Sequence, residues 1–148
     1  MLLNIPASAA TAGRPGASDL TIASGGKTAA VVVVAEKAGP HERKAAEDLV
    51  KYIELLSGAK PTLAASAESG RAALAGNGPV LVVGQAALAA RPALQAKITA
   101  ALKKNPKLGA DGIALVRDGN LVLLAGNNDA SHYYAVAELL KLWGCRWY

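Results

Sequence analysis

Apolar positions along this chain change period several times, and each change marks an element. Residues 126–148 read GNNDASHYYAVAELLKLWGCRWY, where Val136, Leu139, Leu140 and Trp143 recur at helical spacing while Glu138 and Lys141 take the opposite face. The spacing predicts an amphipathic helix with one stripe buried against a sheet. Asn127 or Asn128 caps its start, since a short side-chain oxygen satisfies backbone donors that the first turn leaves unpaired. Gly144 sits where a left-handed residue ends a helix.

Upstream, residues 19–23 alternate Leu20 and Ile22 with polar partners, as a half-exposed strand does. Ser24, Gly25, Gly26 and Lys27 make a turn, and the run AAVVVVA over 29–35 predicts a central strand covered on both faces. Over 40–57 the period becomes helical: Ala45, Leu49, Ile53 and Leu56 share a face, Glu47, Lys51 and Glu54 lie opposite, and Gly58 with Pro61 ends the element. Residues 62–64 read as a weak strand and 66–78 as a small-residue loop with a moving tip. A short buried strand over 80–83 ends at Gly84. A helical segment follows in two pieces around Arg91 and Pro92, with Leu94, Ile98 and Leu102 on one stripe, broken at Asn105 and Pro106. Apolar runs over 112–117 and 121–125 flank Asp118-Gly119-Asn120, a hairpin signal in which Asp and Gly are expected to take positive φ. The order is strand, strand, helix, strand, strand, helix, hairpin, helix and a last strand. This predicts an α+β fold, a mixed β-sheet with helices packed mainly on one face.

Length bounds the picture at one domain over 18–148, while residues 1–17, rich in Ala, Ser, Gly and Pro, read as a flexible tail or the remnant of a secretory signal. Hydrophobic residues make up 52% but aromatics only 4%, with no Phe, so the core is built from small side chains. No apolar run approaches the ~20 residues that span a bilayer. The net charge of +5 comes from basic residues interleaved with acids; only Lys97, Lys103, Lys104 and Lys107 gather, without stacking aromatics, which argues against a nucleic-acid partner. The single cysteine, Cys145, has no partner for an internal disulfide and reads as a buried thiol.

Chemistry-bearing patterns are incomplete. His41 and Glu42 open the first helix, but the second histidine of HExxH falls on Ala45, so no zinc site is expected and the pair reads as exposed. His132 has neither a nucleophile nor a carboxylate at a telling spacing and reads as a surface or half-buried histidine. Gly84, after a strand and before a helix, matches half of a dinucleotide turn, but GxGxxG and GK[ST] are missing. Asp111, Asp118 and Asp129 sit at turns or element ends, where Asp is usual. None is assigned as catalytic, and no cofactor is expected.

A family resemblance adds a function. Its residues are the helix Ala45-Ala46-Glu47-Asp48-Leu49-Val50-Lys51-Tyr52-Ile53 with the exit Ser57-Gly58-Ala59-Lys60, and the strand end Leu81-Val82-Val83-Gly84. To these are added Asp111-Gly112-Ile113, Asp118-Gly119-Asn120-Leu121, Ala125-Gly126, and Tyr134-Ala135-Val136 through Leu139-Leu140 to Gly144-Cys145-Arg146-Trp147-Tyr148. In order and spacing over residues 18–148 they resemble the N-terminal α/β domain preceding the catalytic barrel in bacterial glycoside hydrolases. The type is that of α-glucuronidases and β-N-acetylhexosaminidases, and of large secreted proteins of the same organisation. Ser131 stands where a glycine is common and Ala137 where an aromatic is common, which bears on close packing there. The resemblance implies a zincin-like, hexosaminidase N-terminal-domain-like fold without a metal site, in a secreted or periplasmic protein. It implies an accessory, non-catalytic role, the partner being a barrel of the same polypeptide that carries the catalytic acids. A glycan is a further candidate partner. The alternatives are a stand-alone carbohydrate-binding module, with Trp147, Tyr148 and Tyr52 stacking on sugars, or a protein-interaction domain using the same C-terminal surface.

Overall fold

In the computed structural model, which describes residues 3–5, 19–102 and 111–147, two sheets and five helices form a mixed α+β domain, as the sequence pattern predicts. Strands β1 (Leu3–Ile5) and β2 (Leu20–Ala23) pair antiparallel in a small sheet. The main sheet comprises β3 (Val31–Val33), β4 (Thr62–Ala64), β5 (Val80–Val83), β6 (Ile113–Asp118) and β7 (Leu121–Gly126), in the order β4-β3-β5-β7-β6. The first four in that order run parallel, and β6 runs antiparallel to β7. The helices are α1 (Pro40–Ser57), α2 (Ala67–Ala75), α3 (Gln85–Ala90), α4 (Leu94–Ala101) and α5 (Asp129–Leu142).

Alternate strand residues point to opposite faces, and here both faces are covered. Val32, Val34, Leu81, Val83, Val122 and Leu124 pack with α1, α5 and the β1–β2 pair. Val33, Val80, Val82, Leu121 and Leu123 pack with Ala87 of α3 and Leu94 and Ile98 of α4, with Leu74 of α2 at the margin. The expectation of helices mainly on one face is therefore corrected: the two longest share a face, and three short ones cover the other. Continuous apolar strands such as β7, buried at every position, require that second layer.

Several local readings hold. Helix α1 has the expected bounds, with Pro40 in its first turn and the Gly58 N–H donating to the Glu54 carbonyl at 2.8 Å. Of its stripe, Ala45, Leu49 and Ile53 are buried and Leu56 is half-buried. Asn128 caps α5: its side-chain oxygen accepts the Ser131 N–H at 2.8 Å while Ser131 Oγ accepts the Asn128 N–H at 2.9 Å. Val136, Leu139 and Leu140 are buried, and Trp143 is half-buried.

Other readings are overturned. Residues 67–75 form helix α2 rather than a loop, started by the Ser66 side chain accepting the Ser69 N–H; the glycines at 70, 76 and 78 conceal it. Leu3–Ile5 is a strand with Leu3 and Ile5 buried, not tail, because it completes the apolar cover beside α1. Asp118 pairs with Leu121, so the hairpin loop is Gly119-Asn120, and only Gly119 takes positive φ, at 60°. Among the described residues no strand follows α5. The Cys145 N–H donates to Leu140 O and the Gly144 N–H to Lys141 O, closing the helix with paired reversing bonds. Helix α4 ends at Ala101, before the expected break at Asn105 and Pro106, which lie outside the described residues. Among the described residues no helix is long and apolar enough to cross a membrane.

Candidate functional site

The parallel strands all end at one edge of the sheet, and helices α1, α2, α3 and α5 begin there. Strands β3 and β5 are neighbours, yet β3 feeds α1 on one face and β5 feeds α3 on the other. Ligands of open α/β sheets bind at such a switch point, in the crevice beyond the strand ends. Here that crevice holds a side chain of the protein itself. Glu42, in the first turn of α1 and 2% exposed, reaches across so that Oε1 accepts the Gln85 N–H at 2.6 Å, and Oε2 accepts the Gly39 N–H at 3.3 Å. One carboxylate thus caps both its own helix and α3, offsetting partial positive charge at both N-termini.

Gly84 makes this approach possible. It turns from β5 into α3 at φ 64° and ψ −128°, a region that only glycine visits freely, and a Cβ there would collide with the Glu42 carboxylate. The half-match to a dinucleotide turn therefore has a different physical content. The backbone donor that would meet a phosphate is already bonded to Glu42.

A second carboxylate repeats the device. Asp129, the first residue of α5, accepts the Glu42 N–H at 3.0 Å and the His41 N–H at 3.1 Å, and contacts His41 Nδ1 at 2.8 Å. Partial burial pushes its carboxyl up, but the Glu42 amide, the His41 ring and the His41 amide outweigh that and hold it below the ordinary carboxylate range. His41 is exposed as expected, whereas Glu42 is buried, which corrects the reading of the two as an exposed pair. His132 is also deeper than expected, at 1% exposure, and its Nδ1 accepts the Gly126 N–H at 2.9 Å. Burial lowers its pKa, with the nearby negative charges of Glu42 and Asp129 partly opposing. An accepting Nδ1 fixes the neutral ring with its proton on Nε2.

The remaining acids do not converge. Asp111 accepts from Asn128 Nδ2 at 3.0 Å near this edge, while Asp118 pairs with Arg91 at 2.6 Å at the opposite end of β7. Ala45 is buried in the first-face core, away from solvent. Among the described residues no three His, Cys, Asp or Glu side chains gather to hold a metal. Cys145 is half-buried, and burial pushes its thiol pKa up, against a smaller opposing effect of Arg146.

At the far end of α1 and α5 lies the aromatic surface singled out in the sequence. Trp147, 49% exposed, meets Tyr52 edge to face at 6.1 Å and 72°, and Lys51 Nζ stands 5.7 Å from the Tyr52 ring centre. Leu55, on α1, is 67% exposed. Tyr148, Lys103, Lys104 and Lys107 lie outside the described residues. A groove lies between α2 and α3 that the sequence pattern, with its predicted loop over 66–78, does not reveal; the Ser66-x-x-Ser69 spacing is the available signal. In comparisons with family models, curated proteins and solved structures, this chain finds no match.

Proposed function

We propose that this chain is a non-catalytic accessory domain that packs against a catalytic neighbour, a glycoside hydrolase barrel by the resemblance in its sequence. One observation carries the non-catalytic reading: the switch-point crevice is filled by Glu42, so the strand-end position that α/β proteins commonly give to a substrate joins helices instead. The packing surface in this reading is the aromatic end, where Trp147, Tyr52 and Leu55 present apolar area to solvent.

The reading frame beyond Tyr148 tests the role directly. It should continue for about 250 residues of a barrel with two acids at strand ends; a frame that ends at Tyr148 removes the partner in cis and refutes the proposal as stated. In the continuous polypeptide, Trp147→Ala should lower the unfolding midpoint of the neighbouring domain as well as of this one. Separate, unchanged unfolding of the neighbour counts against packing through this surface.

A further inference from the structure

The groove between α2 and α3 opens on the second face beside the end of β3. It is open to solvent and has a volume of about 550 Å³, within the range of small-molecule sites. Its floor is Val33, and its walls are Gly70 and Leu74 from α2 and Ala86 and Ala89 from α3. Gly70, Ala86 and Ala89 are small enough to let the two helices approach one another, yet here each helix is held by something else. Gly70 rests on Val33, where an added Cβ would lie 3.3 Å from Cγ1, and Ser66 caps α2 at the strand edge. The Glu42 carboxylate holds the first turn of α3. The unfilled apolar space is therefore built into the framework.

Two opposite charges line the same groove, Glu36 from the segment after β3 and Arg71 from α2. We propose that it binds a small zwitterion with an apolar body, of the class of an apolar dipeptide. The guanidinium fork of Arg71 suits a carboxylate, and Glu36 suits an ammonium. A ligand with only an anionic end would leave Glu36 unused, and one with only a cationic end would leave Arg71 unused; Arg43, a further cation beside Glu36, is engaged by its Nη2 donating to the Glu36 backbone carbonyl at 3.0 Å. No aromatic residue lines the groove to stack on a sugar face. The inference goes beyond the accessory role and is independent of it, since it concerns binding without chemistry on the face opposite α1.

The test titrates leucyl-leucine, its C-terminal amide and its N-acetyl derivative into the protein, following amide chemical shifts. Leucyl-leucine should saturate with shifts centred on Val34, Gly70 and Ala86, and each single-charge analogue should bind at least about tenfold more weakly, a difference of ~1.4 kcal/mol. Arg71→Ala should abolish the preference over the amide, and Glu36→Gln the preference over the N-acetyl form. Ala89→Leu, at an exposed wall position, should block binding while leaving the unfolding midpoint unchanged. Equal binding of all three compounds, shifts centred elsewhere, or no saturation up to ~10 mM would overturn the proposal.

Discussion

The contact between Glu42 and Gly84 invites a double-mutant cycle, because the structure makes one residue's tolerance depend on the other. In Gly84→Ala the new Cβ enters the space of the Glu42 carboxylate, and the backbone stays at a φ of 64° that L side chains rarely adopt. Backbone strain there is worth about 1 to 3 kcal/mol. Displacing the carboxylate adds about 1.5 to 3 kcal/mol, since the charged hydrogen bond to Gln85 at 2.6 Å is lost. The single substitution should therefore cost about 2.5 to 6 kcal/mol. Glu42→Ala removes the same bond and the weaker one to Gly39, and relieves the burial of a charge, for a net cost of about 2 to 4 kcal/mol. In the double variant the carboxylate can be lost only once and the collision disappears, so strain remains as the main extra cost. The two effects should fall short of additivity by about 2 kcal/mol. Equilibrium urea unfolding followed by far-ultraviolet circular dichroism, with the slope checked for constancy, reads all four corners. Additivity within ~0.5 kcal/mol, the behaviour of uncoupled sites, would show that Glu42 does not occupy the space beneath Gly84.

Three further predictions follow from the two cores and their polar joints. Leu139→Ala, at a position 1% exposed in the α5 stripe, should cost about 2 to 5 kcal/mol, and a loss below ~1 kcal/mol would show that α5 is peripheral. His132 has a folded pKa held below its unfolded value of about 6.5. The unfolded chain therefore binds the proton first, and stability should fall as pH drops below ~6.5 toward the folded value. His132→Gln should flatten that stretch of the profile, and an unchanged slope would refute the assignment. Tyr133 donates to Asp48 Oδ2 at 2.7 Å, and burial, then that bond, pushes its phenol up to about 12. Its contribution should persist below the unfolded pKa of ~10 and fade as pH rises toward 12, a loss that Tyr133→Phe removes from the alkaline limb of the unfolding curve.

Much of the element list was legible because local pattern is enough to set it. The stripe of α1, its Gly58 stop, the Asn128 cap of α5 and the apolar runs of β3, β5 and β7 all follow from periodicity and from orphan backbone donors and acceptors. Helix α2 is hidden in the sequence because Gly70 sits inside it. Its reason is tertiary, since a side chain at that position would press on Val33 from a different element. Strand β1 is not legible because three residues carry too little pattern, and what makes them a strand is a partner at 20–23.

The sequence by itself determined that these residues form helices and short buried strands around a small-residue core, and that the HExxH and phosphate-loop motifs are incomplete. Only the tertiary structure decided that both faces of the sheet are covered, that Glu42 is buried under Gly84, that Asp129 caps a helix begun 89 residues earlier in the chain, and that α2 and α3 frame a groove. Periodicity states how much of an element must be buried. It cannot state against what, because a carboxylate finds its donors through space, and the distance along the chain between Glu42 and Gln85 leaves no trace in the spacing of either.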